Sequence, residues 1–184
     1  MRLRVAVLLL AFAVAVGLRV VVGGPDVARS LTAGLLFGGC LLVLSVAAGT
    51  RVPVTRRAVL VGLAGTALVC APVGLERLLT FTPPRSADGF LTWAAVVLVV
   101  ATAEEVFLRG TLYDAVEAVA GTWPAILVAA VCFALLHVPL YGWHVVPLDL
   151  AVGIVLGGLR QGTGTPAAPA VTHVLADYVG WFLR

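Results

Sequence analysis

Residues 91–119 read LTWAAVVLVVATAEEVFLRGTLYDAVEAV, and this stretch decides the fold class of the chain. Its first part is almost entirely apolar, and two glutamates and an arginine then follow without a break that would end a helix. Gly110 is its only glycine, and it contains no proline. Because about 20 apolar residues suffice to span the hydrocarbon core, the stretch predicts a long membrane-spanning helix.

The composition of the whole chain also indicates a membrane protein. Of the 184 residues, 61% are hydrophobic and only 11% are charged, whereas roughly 25% are charged in soluble globular proteins. We therefore predict an all-α, polytopic integral membrane protein with six to seven transmembrane helices, in contact with the lipid bilayer and with no nucleic-acid partner. The predicted spans are about 3–22, 31–48, 58–75, 91–119, 123–138, 148–159 and 166–183.

Proline and glycine residues shape our expectations for the fifth and sixth spans. We expect the fifth span to end before Pro139, since proline removes a backbone donor and clashes with the preceding turn. We expect the sixth span to be short and glycine-rich. The aromatic stretch between them, PLYGWHVVP, is typical of a loop at the membrane interface.

Ionisable side chains within the spans are the candidate functional residues, because each costs at least ~2.5–3.5 kcal/mol to insert and such residues are usually functional. Glu105 and Arg109 are four residues apart, so they share a helix face and can form an ion pair. Glu104 points about 100° away from Glu105 and is free for another task. The later spans contribute His137, His173 and Asp177.

The position of these residues along their helices suggests that they meet. The fourth and fifth spans form a hairpin that turns near Gly121, and Glu104 and His137 each lie about 16 residues from that turn. At ~1.5 Å per residue, both lie ~24 Å from it. His173 lies about eight residues beyond the last loop, or ~12 Å. It reaches the same level if the end of the fourth helix protrudes from the membrane.

The combination of carboxylates and imidazoles suggests hydrolysis. A carboxylate and a histidine at one level can hold and deprotonate a water molecule. A second histidine with an acid could stabilise the oxyanion formed when that water attacks a carbonyl. One glutamate and two histidines could instead bind zinc, and the residues alone leave both mechanisms open.

Three motifs resemble those of a known family. EEVFLR (104–109), FALLH (133–137) and HVLAD (173–177) occur in that order, each on a predicted span. They are similar to the EExxxR, FxxxH and HxxxN/D motifs of the CAAX-protease and bacteriocin-processing (CPBP) family of intramembrane proteases. The resemblance covers residues 88–184, which would form the catalytic helical core. Residues 1–87 would be transmembrane helices without a motif.

The resemblance implies a role for each matching residue. Glu104 and His137 would activate the water. His173 and Asp177 would form the oxyanion site, although eukaryotic members have asparagine where Asp177 stands. The supporting residues would be Glu105, Arg109 and Phe133. The resemblance implies no metal and no other cofactor, with zinc left as the alternative.

The resemblance leaves the substrate open. It implies a peptide or protein substrate in the membrane, with lipidated peptides among the candidates, and a location in a bacterial plasma membrane. A catalytically silent scaffold or a bacteriocin-immunity protein is the first alternative. A small proton-coupled transporter is the second, because intramembrane Glu, His and Asp residues also form proton relays.

Overall fold

The computed structural model describes residues 1–80 and 86–183, and these form helices and short connections without a strand. The helices are α1 (Arg2–Gly23), α2 (Leu31–Ala47), α3 (Arg56–Thr80), α4 (Phe90–Glu105), α5 (Tyr113–Ala120), α6 (Thr122–Tyr141), α7 (Val146–Thr163) and α8 (Ala167–Leu183). A π-helical segment, Val106–Leu112, joins α4 to α5, so that Phe90–Ala120 is one continuous helix.

The described residues include five helical stretches that are long and apolar enough to cross a membrane. These are Arg2–Asp26, Arg56–Arg77, Phe90–Ala120, Thr122–Tyr141 and Trp143–Thr163. The helices α2 and α8 have 17 residues each, which is at the lower limit for a span. The prediction of an all-α polytopic membrane protein is confirmed.

The outer surface of the bundle is apolar, as a lipid-facing surface must be. Leu3, Val21, Val46 and Leu91 each expose more than three quarters of their surface. An apolar surface of this extent would be an aggregation hazard in water. In a bilayer it faces lipid tails.

The long helix Phe90–Ala120 lies at the centre of the bundle. Helix α4 packs against α2 and α8, while the π-helical segment contacts α2 and α6. All seven residues of that segment are buried. The Phe107 ring stacks on Phe12 of α1, with 5.6 Å between the ring centres. The glutamates that precede the segment are therefore held inside the protein and away from lipid.

Two glycines bring α7 close to α6. A Cβ atom on Gly153 would lie 2.8 Å from the Cα of Ala130, and one on Gly157 would lie 2.8 Å from Cγ2 of Ile126. Small residues four apart allow such close helix contacts in membranes. The glycine-rich character of the predicted sixth span thus has a packing reason.

Two predictions, on the fifth and sixth spans, were wrong. Helix α6 continues through Pro139 to Tyr141 and ends at Gly142, whose φ is 92° and whose N–H bonds to the Val138 carbonyl at 2.8 Å. Pro139 cannot donate to the Leu135 carbonyl, and the helix ends two residues beyond it. Helix α7 covers Val146–Thr163 and is not short. Pro147 lies in its first turn, where proline is well tolerated, and the helix continues to Gly164, whose φ is 71°.

Candidate active site

Glu105 connects two helices at the centre of the site. Its Oε1 accepts hydrogen bonds from Nη1 of Arg109 at 2.8 Å and from Nδ1 of His173 at 2.9 Å. Glu105 and Arg109 are both fully buried. The predicted pair between them is present, and the bond to His173 on α8 is an additional contact that the spacing did not predict.

Arg109 is held by three contacts of its side chain and one of its backbone. Besides its bond to Glu105, Nη2 donates to the Gly153 carbonyl at 3.2 Å. Its guanidinium carbon lies 4.8 Å from the centre of the Phe133 ring, an arrangement that attracts a cation to the ring face. Its backbone carbonyl accepts a 2.7 Å bond from Nε of Arg160. The guanidinium thus links the π-helical segment to α6 and α7.

Phe133 separates the two histidines. The His137 ring meets it edge-on with 4.8 Å between ring centres, and the His173 ring does so at 5.2 Å. Since Arg109 lies over the same ring, one aromatic side chain fixes the positions of three polar groups. In this chain, the phenylalanine of the FxxxH motif therefore packs against both histidines and the arginine.

His137 has a defined orientation. Its Nδ1 lies 2.9 Å from the Phe133 carbonyl oxygen, and since a carbonyl only accepts, Nδ1 is the donor. In a neutral imidazole, Nε2 is then an acceptor. The Oδ2 atom of Asp149 lies 3.5 Å from the same Nδ1, and the ring stacks on Tyr141 with 5.9 Å between centres.

The predicted catalytic residues line one cavity of about 500 Å³. Its walls include Glu104, His137, His173 and Asp177. Glu104 lines this cavity although only 3% of the residue is exposed. The supporting residues are not among the cavity-lining residues that the structure describes. They contact the lining residues His137 and His173 directly or through one another.

His173 and Asp177 stand one helical turn apart on the cavity wall. Nε2 of His173 lies 3.6 Å from Oδ2 of Asp177, whose side chain is 42% exposed. Because Nδ1 of His173 is engaged by Glu105, the imidazole is held between two carboxylates and presents its Nε2 edge toward Asp177.

Sequence reasoning missed two residues of the site. Nη1 of Arg19 on α1 lies 3.5 Å from Oε1 of Glu104, and Asp149 on α7 lies beside His137. A signal for both was available, since each is an ionisable residue inside a predicted span. Neither belongs to a motif, and their partners lie on other helices.

Zinc was the alternative in the sequence analysis. Among residues 1–80 and 86–183, no three His, Cys, Asp or Glu side chains are grouped so that they could hold a metal ion.

These features define an integral membrane protein with carboxylates and imidazoles gathered around one cavity. The model of the type II CAAX prenyl endopeptidase Rce1-like family matches residues 86–179, which is about half of the chain and includes all three motifs. The chain therefore belongs to this family, and the predicted resemblance is confirmed.

Membership in this family makes the chain a CAAX-protease-like intramembrane endopeptidase at the family level, with a peptide or protein as its substrate. Arg19 lies outside the matched region. A search of the curated proteins and a search of the solved structures each found no match.

Proposed function

We propose that the chain is a glutamate-dependent intramembrane endopeptidase that uses water activated by Glu104 and His137. The observation that carries the proposal is the shared cavity, which is lined by these two residues together with His173 and Asp177. The bond from Nδ1 of His137 to a backbone carbonyl supports it, because Nε2 is left to accept a hydrogen bond from the water.

In the first step, Glu104 and Nε2 of His137 hold one water molecule. The water oxygen attacks the carbonyl carbon of the scissile peptide bond, and Glu104 takes the proton that the water loses. The carbonyl electron pair moves to its oxygen and forms the oxyanion. General base catalysis of this kind contributes about 10²–10⁴-fold to the rate.

In the second step, the oxyanion collapses and the bond between carbon and nitrogen breaks. The leaving amine takes a proton from Glu104, which restores the starting carboxylate. We assign oxyanion stabilisation to His173 and Asp177. Since Nδ1–H of His173 donates to Glu105, a proton on Nε2 is the one available for the oxyanion. Asp177, 3.6 Å from that nitrogen, would have to be neutral to donate as well.

Glu105, Arg109 and Phe133 act as positioning residues, because their contacts fix the two imidazole rings without lining the cavity. We propose that the reaction uses no metal. The proposed substrate is a peptide or protein in the membrane, with prenylated CAAX peptides among those to test. The proposed location is a bacterial plasma membrane.

The test compares parent and Glu104→Gln on a panel of prenylated and unprenylated peptides, with purified protein in detergent. We expect the substitution to lower kcat about 10²–10⁴-fold while thermal unfolding is unchanged. Glu117→Gln is the matched control, since Glu117 is on the same long helix but bonds to Tyr113 and Thr122 away from the cavity. It should stay within about threefold of the parent.

Each outcome has a distinct meaning. Activity retained by Glu104→Gln contradicts the assigned base. Activity lost on adding a chelator contradicts the metal-free mechanism and favours a zinc site. A parent that binds peptides without cleaving any of them favours the silent scaffold or immunity protein.

A further inference from the structure

Arg19 is a largely buried cation that the proposed reaction does not use. Its side chain is 11% exposed, and its Nη1 lies 3.5 Å from Oε1 of Glu104. Its guanidinium carbon lies 4.9 Å from the centre of the Phe37 ring. Its Nε is buried and has no hydrogen-bond partner in the part of the chain that the structure describes.

These contacts satisfy the guanidinium poorly. An arginine has five N–H donors in a fork that fits a carboxylate with two parallel hydrogen bonds. The contact between Arg19 and Glu104 is long for a charge-assisted hydrogen bond, which is about 2.7–2.9 Å. A buried charge without full pairing is costly. The side chain therefore has the capacity to bind a further anion.

Arg19 is also positioned where an anionic group of a substrate could reach it. It lines the cavity that contains Glu104 and His137, and Arg29 lines the same cavity. Both arginines come from α1 and its connection to α2, whereas the acidic lining residues, Glu104 and Asp177, come from α4 and α8. The cavity thus has a cationic wall and an acidic wall, so a peptide inside it would be oriented by its own charge.

We propose that Arg19 is a substrate subsite for a carboxylate. The carboxylate is either the C-terminal α-carboxylate of the peptide or an acidic side chain next to the scissile bond. It replaces Glu104 as the partner of Arg19, and Glu104 is then released to act on the water. This inference rests on the proposed function and extends it to the choice of substrate.

The geometry also limits where cleavage occurs. Arg19 contacts Glu104 directly, so a carboxylate bound to Arg19 lies close to the activated water. An extended peptide covers about 3.3–3.6 Å per residue, and a few residues fill the distance between them. The subsite therefore selects peptide bonds near a chain end or near an acidic residue.

The experiment uses one fluorescent peptide, containing S-farnesyl-cysteine followed by Val-Leu-Ser, in three forms. The first has a free C-terminal carboxylate and the second a C-terminal amide. The third is the amide with aspartate as its last residue. Cleavage (kcat/KM) and binding (Kd from fluorescence anisotropy) are measured for the parent, Arg19→Gln, Arg19→Lys and the control Arg51→Gln. Arg51 is exposed and is not among the cavity-lining residues.

We expect the parent to prefer the free acid over the amide by about 10- to 100-fold, as for a hydrogen bond to a charged group. Arg19→Gln should reduce that preference to about threefold or less, while Arg51→Gln keeps it. Arg19→Lys keeps the charge but lacks the two parallel donors of the guanidinium. Its preference for the free acid should lie between those of the parent and Arg19→Gln. Recovery with the aspartate peptide identifies a side-chain carboxylate as sufficient. No recovery identifies the terminal carboxylate as the ligand.

The outcomes separate this inference from the proposed function. If Arg19→Gln lowered kcat/KM equally for the free-acid and the amide peptide, Arg19 would only position Glu104, and the proposed subsite would be overturned. Cleavage by the parent without any preference for the acid would also overturn it and leave the hydrolase intact. Binding that prefers the acid and depends on Arg19, without cleavage, would support the subsite and contradict the hydrolase. Size-exclusion profiles of both Arg19 variants establish that they fold.

Discussion

Replacing Arg109 with methionine should destabilise the protein strongly, because it leaves a buried carboxylate without its main partner. Arg109 and Glu105 have 0% side-chain exposure, and Nη1 lies 2.8 Å from Oε1. Breaking a buried ion pair by removing one partner costs about 3–5 kcal/mol. Methionine fills part of the volume but supplies neither the charge nor the donor for the Gly153 carbonyl.

A double variant separates charge from packing. In Glu105→Gln/Arg109→Met no charge of the pair remains, and the amide oxygen can still accept from Nδ1 of His173, which is 2.9 Å away in the parent. The remaining losses are one hydrogen bond, about 1 kcal/mol, and the contact with the Phe133 ring, about 0.5–2 kcal/mol. We expect the double variant to be about 2 kcal/mol more stable than Arg109→Met alone.

The free energy of unfolding is measured by denaturant titration in mixed micelles, with helix content followed by circular dichroism. Arg57→Met is the matched control, because Arg57 is exposed and, within residues 1–80 and 86–183, its side chain donates to the Gly162 carbonyl at 3.0 Å. It should change stability by no more than about 0.5 kcal/mol. A loss below about 1 kcal/mol for Arg109→Met, or a double variant no more stable than the single one, would refute this reasoning.

Further substitutions test the packing around the site. Gly153→Ala should cost about 1–3 kcal/mol by pushing α7 from α6, while Gly158→Ala, with open space around it, should be neutral or stabilising in the same titration. Phe133→Leu should lower both stability and kcat, since it removes the ring that separates the histidines; a normal kcat would contradict its positioning role. Asp149→Asn should lower kcat about 3- to 10-fold with KM unchanged, because the carboxylate lies 3.5 Å from Nδ1 of His137 and supports the imidazole. A change in KM alone would speak against this assignment.

The sequence predicted the spans well because lipid exposure depends on the length of an apolar run. The first span was predicted at 3–22 and is Arg2–Gly23, and the fourth was predicted at 91–119 and is Phe90–Ala120. The π-helical segment was not predicted, since its residues carry no proline or other break that distinguishes it from the helix on either side. The structure shows a bond from Arg160 to the Arg109 carbonyl within it.

The site was predictable to the extent that its contacts lie within one helix. The spacing of Glu105 and Arg109 predicted their ion pair, whereas the bond between Glu105 and His173 joins residues 68 apart in the chain. Arg19 required knowledge of which helices are neighbours. The catalytic roles, the absence of a metal, the division at residue 87 and a bacterial origin stay predictions.

The two adjacent glutamates have different tasks because successive helical residues point about 100° apart. Glu104 faces the cavity, while Glu105 faces the interior and binds His173 on α8. The helix that supplies the proposed base therefore also fixes the imidazole proposed to stabilise the oxyanion. The π-helical segment begins directly after Glu105, and Arg109 within it completes the buried pair. Sliding of α4 against α8 would break the contact of Glu105 with His173. We therefore expect the proposed site to keep its geometry when substrate enters, with the proposed exchange of partners at Arg19 releasing Glu104.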